Sequence, residues 1–174
     1  SCKFDEQEII SLCHSMTGIC FFAAPTMVQR LLAVAERENT VHSLRKGLKL
    51  LIYGGGPMLL DTAKWANRLL PGKLAQIYGQ GECPMTISRL CPTDIQTDSP
   101  GDDARLSSAG YPFEHVTIRI DDSDNSGAGE ILVNSPLVMK GYINDPQATE
   151  ETIKDGWLRT GDCGFFDEYG YLHL

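Results

Sequence analysis

No apolar run in this 174-residue chain approaches the roughly 20 residues needed to span a bilayer, so no transmembrane segment is expected. Basic charge is scarce: fifteen Lys and Arg stand against 23 Asp and Glu, a net charge of −8. That balance argues against a nucleic-acid partner, which calls for a basic face. Histidine is sparse as well, and His14, His42, His115 and His173 show no metal-ligand spacing, which argues against zinc. The six cysteines (Cys2, Cys13, Cys20, Cys83, Cys91 and Cys163) include no C-x-x-C pair. Free, mostly buried thiols in a reducing cytoplasm are the expectation, because a chain this long has no need of disulfide staples. An initiator Met and a cleavable signal pattern are also lacking, so Ser1 reads as a cut within a longer chain.

What is present is a globular composition, 42% hydrophobic and 22% charged, which excludes disordered and collagenous classes. The length suits one compact domain or two small subdomains. Charge divides the chain: residues 1–91 carry ten basic and seven acidic side chains, and residues 92–174 carry five and sixteen. The division falls in a polar run with Pro and Gly. The expected organisation is therefore an α/β subdomain over 1–91, a connecting loop over 92–106 and a β-rich subdomain over 107–174.

The first part alternates helices with short apolar strands. Asp5 and Glu8 have capping-box spacing, with Ile9, Cys13 and Met16 on one face of the helix that follows. Ile19–Ala24 predicts a strand buried on both faces, ended by Pro25. Thr26 and Gln29 form a second capping pair, opening a helix with Val28, Leu31, Leu32 and Ala35 inward. Leu48–Tyr53 is a strand, Leu59, Ala63, Ala66 and Leu70 mark a helix, and Leu74–Tyr78 is a third strand. This alternation implies a parallel sheet with flanking helices. In the second part, Val116–Ile120 and Glu130–Asn134 read as strands, and Asp145-Pro146 caps a helix through about Ile153. Cys163–Phe166 and Tyr171–Leu174 flank a hairpin turn at Asp167-Glu-Tyr-Gly170. A small, mainly antiparallel β subdomain is the expectation.

Ligands of parallel α/β sheets bind beyond the carboxyl ends of the strands. Two predicted strands end there in glycine clusters, Gly54-Gly55-Gly56 before Pro57, and Gly79-Gln80-Gly81 before Glu82. Glycine admits a ligand close to backbone N–H groups, yet it is also the ordinary residue of tight turns. Neither cluster matches a phosphate-loop or dinucleotide fingerprint. Tyr78 and Glu82 suit base stacking and a hydrated Mg²⁺, or else a core ring and a solvated carboxylate. Asp162 suits a ribose diol, or else a turn or cap. Cys83 and Cys163 read either as thiols beside the site or as small buried hydrophobes.

In combination the motifs become recognisable. Tyr53-Gly-Gly-Gly-Pro57, Ile77-Tyr-Gly-Gln-Gly-Glu82, Gly129-Glu-Ile131, Gly141-Tyr-Ile-Asn144 and Gly156-Trp-Leu-Arg-Thr-Gly-Asp162 occur in order. The series, which covers essentially the whole chain, resembles the adenylate-forming acyl-CoA synthetase superfamily, whose relatives include luciferases and peptide-synthetase adenylation domains. The resemblance implies that Gly54, Gly55, Gly56 and Pro57, with Gly79, Gln80 and Gly81, are cofactor-binding positions, the first glycines lining adenine and acyl pockets. It implies that Tyr78 stacks on adenine, that Glu82 is the catalytic residue and Mg²⁺ ligand, and that Asp162 holds the ribose hydroxyls. ATP or AMP and CoA, with a carboxylic and more narrowly a fatty acid, are the implied partners; Tyr142 and Asn144 are assigned structural roles.

The family's usual Thr before the glutamate is replaced here by Gly81. One hydrogen bond to a charged group is worth roughly 1.5–3 kcal/mol, so adenylation is slower or another donor compensates. Nothing matches the family's phosphate loop or its catalytic Lys. The chain is therefore expected to be an internal piece that does not turn over alone. Other adenylate-forming chemistry, a non-catalytic nucleotide-binding module and a homodimer paired along a sheet edge are the competing expectations.

Overall fold

A computed structural model of the chain describes residues 3–95, 102–121 and 127–174. Asp5 accepts a hydrogen bond from the Glu8 backbone N–H at 3.0 Å and opens α1 (Glu6–Ser15) as its spacing predicts. Ile10 and Cys13 are the residues α1 buries; Met16, expected on that face, is 55% exposed just past the helix end. β1 (Ile19–Ala23) leads into α2 (Pro25–Arg37). Pro25 itself starts α2, so Thr26 lies inside the helix and caps nothing. Its supposed partner Gln29 donates instead to Thr62 Oγ1 at 2.8 Å. The predicted inner face of α2, Val28, Leu31, Leu32 and Ala35, is fully buried.

α3 (Val41–Gly47) has no counterpart in the periodicity, because seven residues are too few to show a helical repeat. Leu44 is buried, and the Arg45 guanidinium donates to the Leu69 carbonyl at 2.7 Å. β2 (Leu48–Gly54), α4 (Leu60–Leu69) and β3 (Leu74–Gln80) follow as expected, except that Leu59 precedes α4 and is 69% exposed. β4 (Cys83–Leu90) is a further strand that the sequence conceals. Pro84 argues against a strand there, and Met85 adopts φ +53. Ile87 on one face and Ser88 and Leu90 on the other are nonetheless fully buried.

The expected connecting loop holds a short helix, α5 (Asp102–Ser107), and its residues 96–101 lie outside the described ones. β5 (Tyr111–Pro112), β6 (Thr117–Asp121) and β7 (Gly129–Asn134) come next. α6 (Pro146–Thr152) is capped by Asp145, whose carboxylate accepts from the Ala148 N–H. β8 (Ile153–Lys154), β9 (Trp157–Phe166) and β10 (Leu172–His173) complete the order.

Two compact units emerge, Ser1–Gln76 with Leu90–Ser107, and Ile77–Arg89 with Ser108–Leu174. The second thus takes in a stretch that charge groups with the first. In the first unit β1, β2 and the start of β3 lie side by side, β1 parallel to β2 from Cys20 opposite Leu50 to Ala23 opposite Tyr53. α2 packs on β1 and β2. β1 is the terminal strand of its sheet, and Cys20 and Phe22 on it are exposed, so it is buried on one face rather than two. In the second unit the end of β3, β4 and β5 are neighbours, and the separate sheet β10-β9-β7-β6 is antiparallel, with β8 paired to β9. The chain is thus α/β, with parallel strands and flanking helices followed by a mainly antiparallel β part. Tyr78, Ile87, Ile131, Val133, Leu158 and Leu172 centre the second core.

Of the described cysteines, all free, only Cys13 and Cys83 are buried. Cys20 and Cys163 are exposed and Cys91 is intermediate, which corrects the expectation of mostly buried thiols. Cys83 is the small buried hydrophobe, whereas Cys163 is not. Cys2 lies outside the described residues. No described helix is long and apolar enough to cross a membrane.

Two positions test this fold. A Cβ on Gly47 would lie 2.3 Å from the Cys13 Cα, a backbone clash where α3 meets α1. Gly47→Ala is expected to lower stability by about 1–3 kcal/mol in urea unfolding. In the terminal hairpin, Asp167 accepts from the Tyr169 and Tyr171 N–H groups and contacts His173 Nε2 at 3.0 Å. Burial pushes the Asp167 carboxyl up, but these hydrogen bonds together hold it below its ordinary value. A depressed carboxyl contributes stability above its unfolded pKa and loses it as pH falls through the folded one. Asp167→Asn is therefore expected to destabilise by about 1–2 kcal/mol at pH 7, with the gap closing below about pH 4.

Candidate functional site

Within the second unit, two motifs far apart in sequence meet through one short hydrogen bond. Tyr78 Oη, near the end of β3, donates to Asp162 Oδ2 on β9 at 2.6 Å across 84 residues of chain. Two residues on, the Gln80 side-chain amide donates to the Thr160 carbonyl at 3.2 Å. Tyr78 is only 7% exposed and belongs to the core cluster, so the expected stacking residue is largely a core ring with its hydroxyl at the edge. Burial, then the hydrogen bond and negative charge of Asp162, push the Tyr78 phenol well above its ordinary value. The phenol therefore stays protonated and remains a donor across the working pH range.

Asp162 itself is exposed on β9, in a bulge rather than a plain turn. Glu130 and Leu132 of β7 face Cys163 and Arg159, so two steps on one strand answer four on the other. Gly161 takes φ +72 there, a conformation that glycine adopts without strain. Thr160 Oγ1 donates to the Ile131 carbonyl at 2.8 Å and accepts from the Asp162 N–H at 3.1 Å. Glu130 pairs with the Arg159 guanidinium and accepts from the Gly161 N–H. Glu130 and Thr160 sit inside quoted motifs, yet their holding of this bulge is invisible without the pairing register.

Glu82 occupies the two-residue turn between β3 and β4. Its carboxylate Oε1 accepts from Tyr142 Oη at 2.5 Å, and its backbone carbonyl accepts from the Met139 N–H at 2.7 Å. The first of these bonds holds the Tyr142 phenol above its ordinary value. Tyr142, expected to be structural, therefore touches the expected metal ligand. Asn144, two residues on, takes φ +57 in the same loop. Among the described residues no group of three or more His, Cys, Asp or Glu side chains is placed to hold a metal. A single glutamate nevertheless suits Mg²⁺, which typically takes one or two carboxylates and keeps its remaining ligands from water and phosphate.

The glycines divide by role. A Cβ on Gly79 would lie 2.3 Å from the Met85 backbone nitrogen, so this glycine serves close strand packing. Around Gly81 an added Cβ meets nothing within 4 Å. In the first unit, Gly54 is the buried end of β2, Gly55 takes φ +74, and Gly56 and Pro57 are exposed.

The second unit of this α/β chain thus carries a core tyrosine near the end of β3 tied to an exposed aspartate in the β9 bulge. The family model for AMP-binding enzymes matches residues 2–143, and the chain belongs to that family. It is 32% identical over 178 residues to a 2-succinylbenzoate–CoA ligase of Bacillus licheniformis, covering 99% of this chain and 34% of that protein. It is 30% identical to a long-chain-fatty-acid–CoA ligase of Bacillus subtilis, covering 99% of this chain and 30% of that one. The solved O-succinylbenzoate coenzyme A synthetase of Bacillus subtilis, in complex with AMP, superposes with a TM-score of 0.76 at 29% identity, over 98% of this chain and 34% of its own. The chain thus spans about a third of the length of the curated relatives it matches.

The open space at Gly81 gives a direct test. Gly81→Thr is expected to leave stability within about 0.5 kcal/mol, read as an unchanged melting midpoint. A marked loss would mean that the turn requires glycine.

Proposed function

We propose that this chain is part of an ATP-dependent, AMP-forming acid–thiol ligase. In the reaction envisaged, a carboxylate oxygen attacks the α-phosphorus of ATP, the α–β phosphoanhydride bond breaks, and pyrophosphate leaves. The sulfur of CoA then attacks the acyl carbon, the bond to AMP breaks, and the thiol proton passes to solvent. The observation that carries the reading is the Tyr78–Asp162 hydrogen bond. It fixes an exposed carboxylate in the β9 bulge while leaving its second oxygen for a diol.

In this reading Asp162 accepts from the ribose hydroxyls and Tyr78 orients it. Adenine stacks on the small part of the Tyr78 ring that stays accessible. Gly79, Gln80 and Gly81 of the second unit are nucleotide-site positions in this reading; Gly54, Gly55, Gly56 and Pro57 of the first unit carry a cofactor-binding role by the family resemblance. Glu82 is the residue that would hold Mg²⁺, using the oxygen not taken by Tyr142. Bound Mg²⁺ supplies neutralisation of phosphate charge, and the chain's own part is positioning. The Gly81 backbone stands where the family's threonine hydroxyl would contact phosphate.

The relatives act on acids as unlike as 2-succinylbenzoate and long-chain fatty acids, so the carboxylate is the shared substrate feature. A fatty acid is the narrower form of the proposal. A reducing cytoplasm suits the free cysteines among the described residues. Phe22, 47% exposed on the terminal strand β1, supports pairing of two copies along that edge.

The test is a calorimetric titration of the chain with AMP and with a non-hydrolysable acyl-adenylate analogue. Saturable binding is expected, weakened about tenfold or more by Asp162→Ala through the loss of hydrogen bonds to a charged acceptor. Equal affinity in both proteins would remove Asp162 from the site, and no binding would leave the proposal without support in this chain.

A further inference from the structure

The contact between Tyr142 and Glu82 carries an inference that rests on reading Glu82 as a metal-binding carboxylate. Glu82 Oε1 is taken by Tyr142 Oη, and among the described residues Oε2 has no hydrogen-bond partner. The tyrosine is itself held from behind. Its backbone N–H donates to Thr149 Oγ1 at 2.9 Å, and the Thr149 hydroxyl donates to the Asp145 carbonyl at 2.8 Å. Gly141, at φ +151, passes so close to Thr149 that a Cβ would lie 2.7 Å from its methyl carbon. The Met139 N–H fastens the start of the same segment to the Glu82 carbonyl. Residues 139–145 therefore form a strap tied to Glu82 by backbone and side chain and backed by α6.

The hydrogen bond occupies one lone pair of Oε1 and fixes the carboxylate's orientation, so coordination through Oε2 alone is favoured over a chelate through both oxygens. Mg²⁺ accepts that arrangement, since it keeps several waters and demands compact octahedral geometry. Ca²⁺ takes six to eight oxygens and readily uses both oxygens of a carboxylate. We propose that Tyr142 is a positioning residue that confines Glu82 to one-oxygen coordination and thereby favours Mg²⁺ over Ca²⁺ at the nucleotide site. Thr149, through the Tyr142 N–H, keeps the strap in place to do so.

The experiment compares ATP affinity of the chain in Mg²⁺, in Ca²⁺ and without metal, for the parent, Tyr142→Phe and Glu82→Gln. The parent is expected to prefer Mg²⁺. Tyr142→Phe should narrow that preference about tenfold, mainly by tightening binding in Ca²⁺. Glu82→Gln should remove the effect of both metals. If Glu82→Gln abolishes the metal effect while Tyr142→Phe leaves the ratio unchanged, Tyr142 has no such role and the Glu82 reading stands. If Glu82→Gln changes nothing, or ATP does not bind under any condition, the Glu82 reading fails and this proposal with it.

A second readout needs only the parent chain carrying ¹³Cζ-labelled tyrosine. The Tyr142 resonance is assigned by its loss in Tyr142→Phe or, should that variant not fold, by its shift in Glu82→Gln. With ATP present, it should hold its position in Mg²⁺ and move toward the Glu82→Gln value in Ca²⁺. Equal movement in both metals would overturn the proposal.

Discussion

The nucleotide reading of the β-rich unit hangs on the hydrogen bond between a buried phenol and an exposed carboxylate. A surface aspartate alone is a mobile acceptor. Tied to a tyrosine whose ring is locked in a core, it becomes a fixed one. Removing the phenol from water is unfavourable for its ionised form, so burial and the adjacent negative charge act in the same direction and keep the proton on oxygen. The core of the second unit therefore does two things at once: it stabilises the sheets and it sets the orientation of Asp162. The bulge in β9 supplies the complementary half by turning that residue outward, with Thr160 and Glu130 as its internal supports.

Local chemistry explains which parts of the fold were legible in the sequence. Asp5 and Asp145 cap helices through bonds to N–H groups three residues on, which is information contained in four consecutive residues. The inner face of α2 was equally readable, since Val28, Leu31, Leu32 and Ala35 follow a single helical stripe. The failures share a different cause. α3 is short and held by Leu44, Arg45 and Gly47 through distant partners. β4 contains a proline near its start, yet it is enforced by burial of Ile87 and Leu90. β1 reads as doubly buried because it is apolar throughout, whereas its place at the end of a sheet leaves Phe22 in the open. Pro25 began a helix that Thr26 and Gln29 only seemed to cap, for a proline already suits the first helical position.

The site divides along the same line. Ordered motifs pointed to Tyr78, Glu82 and Asp162 as residues worth watching, and the first and last of these touch. Their partners were not legible. Tyr142 lies 60 residues from Glu82, and that pairing depends on how a loop is strapped to a turn. Glu130 and Thr160 stood in plain view inside recognised motifs, but the register shift that gives them a purpose exists only once β7 and β9 are paired. Glycine was similarly ambiguous: Gly79 is demanded by a neighbouring strand, while Gly81 is not demanded by anything around it.

The path of the chain has a consequence for how the molecule is made. It leaves the first unit within β3, spends Ile77–Arg89 in the second, returns at Leu90 and leaves again after Ser107. During synthesis, the tip of β3 and most of β4 emerge well before the strands that share their core. Ile87 and Cys83 must wait for Ile131, Leu158 and Leu172, all of them much later in the sequence. Closing loops of that length before any contact rewards them slows folding and leaves apolar strands uncovered meanwhile. The first unit, by contrast, finds most of its partners within its opening stretch. Assembly of the β-rich unit thus waits for its last strands, and the carboxylate in the β9 bulge takes its fixed position only once they have been made.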